Sequence, residues 1–91
     1  MYGLDIEELK TIQHVLKQTH TDRAILFGSR AKGNYRRGSD VDLAIIGDER
    51  SVAYQLNEET HLPYFFDVVN LQKISNKLLR EHIERVGKVI V

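Results

Sequence analysis

No cysteine occurs in the sequence, so neither a disulfide framework nor thiol chemistry enters its function, an absence that suits a reducing compartment. Charge of one sign is missing too. Thirteen Lys and Arg stand against 13 Asp and Glu, and that balance leaves no broad basic surface for nucleic acid. The chain start has no basic segment leading into an apolar one, and no apolar stretch approaches the roughly 20 residues that cross a bilayer. These absences read as a soluble, cytoplasmic protein with no membrane association. What remains is 91 residues, one domain over 1–91 with a modest core and an expected radius of gyration of about 12 Å. So short a chain cannot easily enclose two substrates, and a second protein or subunit, in a hetero- or homo-oligomer, is expected to complete any site.

Helical and strand periodicities alternate along the chain. From Asp5 to Gln18, Ile6, Leu9, Ile12, Val15 and Leu16 share one helical face, and Asp5 with Glu8 three positions on forms a capping-box pattern. Strands are expected over Arg23 to Phe27 and Val41 to Ile46, with one helical turn between them from Arg30, ended by Gly33-Asn34. A short helix with Val52, Ala53 and Leu56 inward follows from Asp48 to Thr60, and Leu62-Pro63 ends it. Tyr64 to Leu71 is an apolar run of the kind buried on both faces of a sheet, interrupted by Asp67 and Asn70. Ser75 is placed to cap a last helix carrying Leu78, Leu79, His82, Ile83 and Val86. Gly87 closes it, and Lys88 to Val91 reads as a short strand. The order argues for one α/β (α+β) layer structure.

The chemistry concentrates between residues 27 and 46. Side chains alternate along a strand, so Asp40 and Asp42, about 7 Å apart along the backbone, project to one side of the sheet. Two carboxylates 4 Å apart repel by about 4 kcal/mol at an effective dielectric of 20. A cation would remove that cost, and hard oxygen ligands without His or Cys suit Mg²⁺ or Mn²⁺. At the other end of the stretch, Gly28 after an apolar strand allows close backbone approach, and the N–H groups that follow can cradle a phosphate. The pattern is no Walker A loop, since Asn34 stands where lysine is required, and no dinucleotide fingerprint. Ser29 has no nucleophile elbow around it and is read as a phosphate hydrogen-bonding group.

Gly28-Ser29, ten residues from Arg30 to Ser39, then Asp40-Val41-Asp42 resembles the Gly-Ser-x10-Asp-x-Asp signature of the DNA polymerase β-like nucleotidyltransferase superfamily. Phe27-Gly28-Ser29-Arg30-Ala31-Lys32-Gly33 is similar to its minimal nucleotidyltransferase (MNT) branch, as is the layout of the whole chain. The resemblance implies a nucleotidyltransferase fold, a small mixed sheet of about four strands with flanking helices. It also implies transfer of a nucleoside monophosphate, most simply AMP from ATP, to a hydroxyl. Asp40 and Asp42 would hold the ions, and Gly28 and Ser29 the β- and γ-phosphates.

Asp67 calls for its own explanation, because an unpaired carboxylate inside an apolar run is expensive to bury. It either meets a distant Arg, faces water on an edge strand, or serves a metal. The resemblance assigns it the third position of the metal triad. Arg30, Lys32, Arg36 and Arg37 put four positive charges in eight residues; Arg30 is the candidate for a phosphate contact, Arg36 and Arg37 suit a phosphate or an acidic partner equally, and Tyr35 either stacks on a base or is a plain surface tyrosine. The four histidines form no helical metal pair and are read as structural. What the MNT branch implies about partners is a small helical HEPN-type toxin that the MNT protein, as antitoxin, adenylylates on a hydroxyl, expected to be a tyrosine. Two alternatives stay open: a subunit that nucleotidylates a small molecule, and a binding module that neutralises its partner by contact alone.

Overall fold

A computed structural model describes residues 1–91, and the expected order of elements is the one found. The first helix, α1 (Ile6–Gln18), opens on a complete capping box: the Glu8 N–H donates to Asp5 Oδ1 at 2.8 Å, and the Asp5 N–H donates to Glu8 Oε1 at 3.0 Å. Two of the first-turn donors that a helix leaves unpaired are thereby satisfied. Strand β1 (Arg23–Phe27) runs straight into α2 (Gly28–Lys32), which the left-handed Gly33 ends at φ 93°. After a loop come β2 (Val41–Ile46), α3 (Glu49–Glu58) capped by Asp48, β3 (Phe66–Asn70), a 3₁₀ turn (Leu71–Lys73), α4 (Lys77–Val86) and β4 (Lys88–Val89).

The strands form one mixed sheet in the order β3-β2-β1-β4. β1 is antiparallel to β2 and β4, while β2 and β3, joined through α3, are parallel. One face meets α1 and α3 in the main core, where Leu26, Val41, Leu43, Ile45 and Phe66 pack against Ile12, Leu16, Val52 and Leu56. The other face carries a smaller cluster of Phe27, Ala44 and Ile83 of α4, flanked by Ile25, Val69 and Leu79. Burial on this scale, at about 25 cal/mol per Å² of apolar surface, is the main stabilising term. The smaller cluster covers only part of its face, and the uncovered end is where the carboxylates stand.

Four local expectations change. The run from Tyr64 is not buried on both faces: β3 begins at Phe66, lies at the sheet edge and leaves Phe65 60% exposed. Its apolar side chains serve one face and the flanks, a distinction that a run of apolar letters does not encode. Asn76, not Ser75, caps α4 by accepting from the Leu79 N–H, and the helix turns Leu79 and Ile83 toward the sheet, which leaves Leu78 77% exposed. Ile6 is exposed as well, because α1 buries its later turns, at Ile12, Val15 and Leu16.

Asn57 performs a task on β3 that no pattern announced. Val41 N–H donates to Phe65 C=O, so Phe66 points its own N–H and C=O away from β2. Both are taken by the Asn57 amide, which donates to Phe66 O at 3.0 Å and accepts from Phe66 N at 2.9 Å. Asn57→Leu leaves the two groups unpaired and is expected to cost about 1 to 3 kcal/mol, seen as a fall of the thermal midpoint by roughly 5 to 15 °C. A midpoint within 2 °C of wild type would remove this role from Asn57.

Candidate active site

Three chain segments meet at one end of the sheet: the end of β1 and the beginnings of β2 and β3. The antiparallel register sets Phe27 opposite Asp42, and the parallel register sets Asp42 opposite Asp67. Residues opposite one another in a ladder share a face, so Asp42 and Asp67 project together from the side carrying the smaller cluster. Asp40, two positions before Asp42, lies near enough for its charge to act on that carboxyl. Asp67 is exposed on its edge strand, as is Asp40, whereas Asp42 is half-buried.

Immediately after Phe27 the chain turns at Gly28 with φ 74°, and a Cβ built there would run into the Asp42 carboxylate. Only glycine satisfies both conditions, a left-handed backbone and a carboxylate resting against it. No side chain caps α2, and the first-turn N–H groups of Gly28, Ser29 and Arg30 have no intrahelical acceptors. Ser29 is half-buried beside them.

Burial pushes the Asp42 carboxyl above the ordinary carboxylate range, and the charges of Asp67 and then Asp40 push it further. No influence of opposite sign acts on it. The protein's one ion pair, Lys73 with Glu49 at 3.2 Å, lies elsewhere. No three His, Asp or Glu side chains close to metal-coordinating separation; Asp42 and Asp67 share a face and a register, and Asp40 stands just before β2. Their chemistry nevertheless fits a hard divalent cation, with oxygen donors of one sign, one of them partly desolvated, and none of them in an ion pair.

The phosphate contact expected of Arg30 is not available to it. Arg30 is 2% exposed. Its Nε and Nη2 donate to Ser39 O at 3.1 and 2.9 Å, Nη1 to Tyr2 O at 2.9 Å, and Nη2 also to Arg37 O at 3.5 Å. The guanidinium lies 4.6 Å from the Tyr64 ring centroid and 5.4 Å from that of Tyr35, and the Tyr64 hydroxyl in turn donates to Glu8. The part that Tyr2, Tyr35 and Tyr64 play in holding Arg30 is not foreshadowed in the sequence. Tyr2 and Tyr64 lie far from Arg30 along the chain, so no local pattern signals their contacts with it. Lys32, Arg36 and Arg37 are exposed, in the loop or just before it, and His82 sets its ring edge-on to Phe27 at 6.2 Å, a packing role. A groove of about 620 Å³ between α1 and the segment after α3 is lined by Glu8, His14, Gln55 and His61, among others, and shares no residue with the carboxylate face.

A mixed four-stranded sheet that brings a Gly-Ser turn against in-register carboxylates defines a nucleotidyltransferase domain. Residues 10–91 match the polymerase beta nucleotidyltransferase family, and the chain belongs to it. It is 36% identical over 96 aligned positions to the probable protein adenylyltransferase MntA of Haemophilus influenzae, covering 96% of this chain and 83% of that protein. Two solved structures share the fold. One is a toxin–antitoxin with AMP-PNP, at TM-score 0.75 and 23% identity over 91% of this chain and 72% of the other. The second is a mutant of the MntA–HpeT toxin–antitoxin, at TM-score 0.74 and 21% identity with the same coverage of each chain.

Proposed function

We propose that the chain is an antitoxin adenylyltransferase that moves AMP from ATP to a hydroxyl, a tyrosine of a small helical HEPN-type toxin. The observation that carries the reading is the Asp42–Asp67 register with Gly28 turned against it, a concentration of uncompensated negative charge beside free backbone donors. The name of the 36% identical relative supports protein adenylylation, and the toxin–antitoxin neighbours support the partner's class.

Asp40, Asp42 and Asp67 would hold Mg²⁺ or Mn²⁺, and a cation held there supplies charge neutralisation at the triphosphate and at the departing pyrophosphate. The backbone N–H groups from Gly28 onward orient the β- and γ-phosphates, with the Ser29 hydroxyl as a further donor. Asp67, exposed on the edge strand, is the carboxylate an incoming acceptor meets. It takes the hydroxyl proton as the acceptor oxygen forms its bond to the α-phosphorus and the bond to pyrophosphate breaks.

The test is to incubate the purified pair with ATP and Mg²⁺ and follow the partner by mass spectrometry, with Asp40→Ala/Asp42→Ala as control. The expected result is addition of AMP to a tyrosine by wild type and none by the control. Calorimetry should show ATP binding in Mg²⁺ weakened at least about tenfold in EDTA, since three carboxylates repel an uncompensated triphosphate. A partner that stays unmodified, yet is still neutralised by the double variant, replaces this reading with neutralisation by contact.

A further inference from the structure

We propose that Arg30 is the positioning residue of the carboxylate cluster, holding the starts of β2 and β3 at a fixed separation so that Asp40 and Asp67 flank Asp42. The inference rests on the site being the metal-assisted one described above, although the clamp itself is a matter of geometry. Arg30 fastens Ser39, the residue before Asp40, through two hydrogen bonds to one carbonyl. It covers the ring of Tyr64, two residues before β3 begins. Between these anchors runs the Val41 N–H to Phe65 C=O bond, 2.9 Å, that joins the two strand starts. The guanidinium therefore brackets the first rung of the ladder that carries Asp42 opposite Asp67.

The remaining contacts fix the clamp itself. Nη1 is held by Tyr2 O, and the left-handed Gly3 lets the amino-terminal turn close over it, since a Cβ there would overlap the Tyr35 ring and crowd Nη1. A planar fork with five donors can bind carbonyls of two backbone segments and cover a ring in this way, whereas an ammonium cannot reproduce its angles. In place of a phosphate ligand, the loop's one buried base is the part that sets carboxylate spacing.

Arg30→Lys keeps the charge and loses the fork; Tyr64→Leu keeps Arg30 and removes the ring under it. Both are to be assayed beside wild type by amide hydrogen exchange at Val41, by Mn²⁺ binding to the nucleotide-free protein followed by electron paramagnetic resonance, and by steady-state transfer to the partner. For Arg30→Lys, Val41 exchange is expected to accelerate at least about tenfold, Mn²⁺ affinity and kcat to fall about 10- to 100-fold as for other outer-shell supports, and KM for ATP to change less than threefold. Tyr64→Leu should give the same pattern with smaller amplitude. A raised KM with kcat unchanged would instead mark a substrate contact and overturn the proposal, as would wild-type exchange, Mn²⁺ affinity and kcat in both variants. If wild type neither binds Mn²⁺ nor transfers AMP, the functional reading fails, while faster Val41 exchange in the variants still upholds the clamp and unaltered exchange rejects it.

Discussion

Asp42→Asn is expected to yield a protein that is more stable than wild type at neutral pH and inert in transfer. The Asp42 carboxyl titrates above its ordinary value of 3.8 because it is partly desolvated and faces Asp67 and Asp40. A group whose folded pKa is raised contributes stability below its unfolded pKa and loses it as pH rises through the folded value. At pH 7 the ionised carboxylate therefore works against the fold, and an isosteric amide does not. The thermal midpoints of wild type and variant should nearly coincide near pH 3 and separate as pH rises above about 4, with the variant higher. Mg²⁺ should raise the wild-type midpoint and leave the variant's almost unchanged, since only a state that binds the ligand gains from it. Transfer should fall by more than the roughly 10- to 100-fold typical of losing a group that merely supports a metal ligand. A variant that melts below wild type at pH 7, or retains transfer within tenfold, contradicts this account of Asp42.

Gly28→Val should fail in a different way, through the backbone. At φ 74° a β-branched residue is strained by about 1 to 3 kcal/mol, and its Cβ overlaps the Asp42 carboxylate. The combined effect should lower the thermal midpoint by roughly 10 °C or more and remove ATP binding, because the side chain fills the space between the turn and Asp42. Strain and collision can be separated. In Gly28→Val/Asp42→Gly the collision is gone and the strained dihedral stays, so part of the lost stability should return while transfer does not. If the double variant is no more stable than Gly28→Val, strain alone accounts for the glycine.

The parts of the site legible in the sequence were those whose chemistry fixes their spacing. Two carboxylates at i and i+2 must share a side of a strand, and a glycine after an apolar strand marks close approach. Both statements are local; Gly28 rests against Asp42 as the second requires, while Asp40 stands just ahead of β2, where its charge still acts on Asp42. Asp67 was legible only as an anomaly. That it stands opposite Asp42 depends on a parallel register reached through α3, and that β3 is an edge depends on the order of the whole sheet. Arg30 was misread for the same reason. Four basic residues in one loop look alike in sequence, and the carbonyls of Tyr2 and Ser39 that claim one of them come from segments whose meeting is a tertiary event.

The Asn57 amide that occupies the outward N–H and C=O of Phe66 bears on how a substrate can be chosen. Phe66 adjoins Asp67, and a sheet edge at that point would ordinarily invite an extended peptide to lie alongside as a fifth strand and be read by its side chains in register. With both groups already engaged, that docking mode is closed beside the carboxylates. If the acceptor is the partner tyrosine proposed above, its hydroxyl arrives on a partner folded well enough to present it by shape, so selection should follow the partner's tertiary structure, and an unfolded peptide carrying the same tyrosine should be a poor substrate.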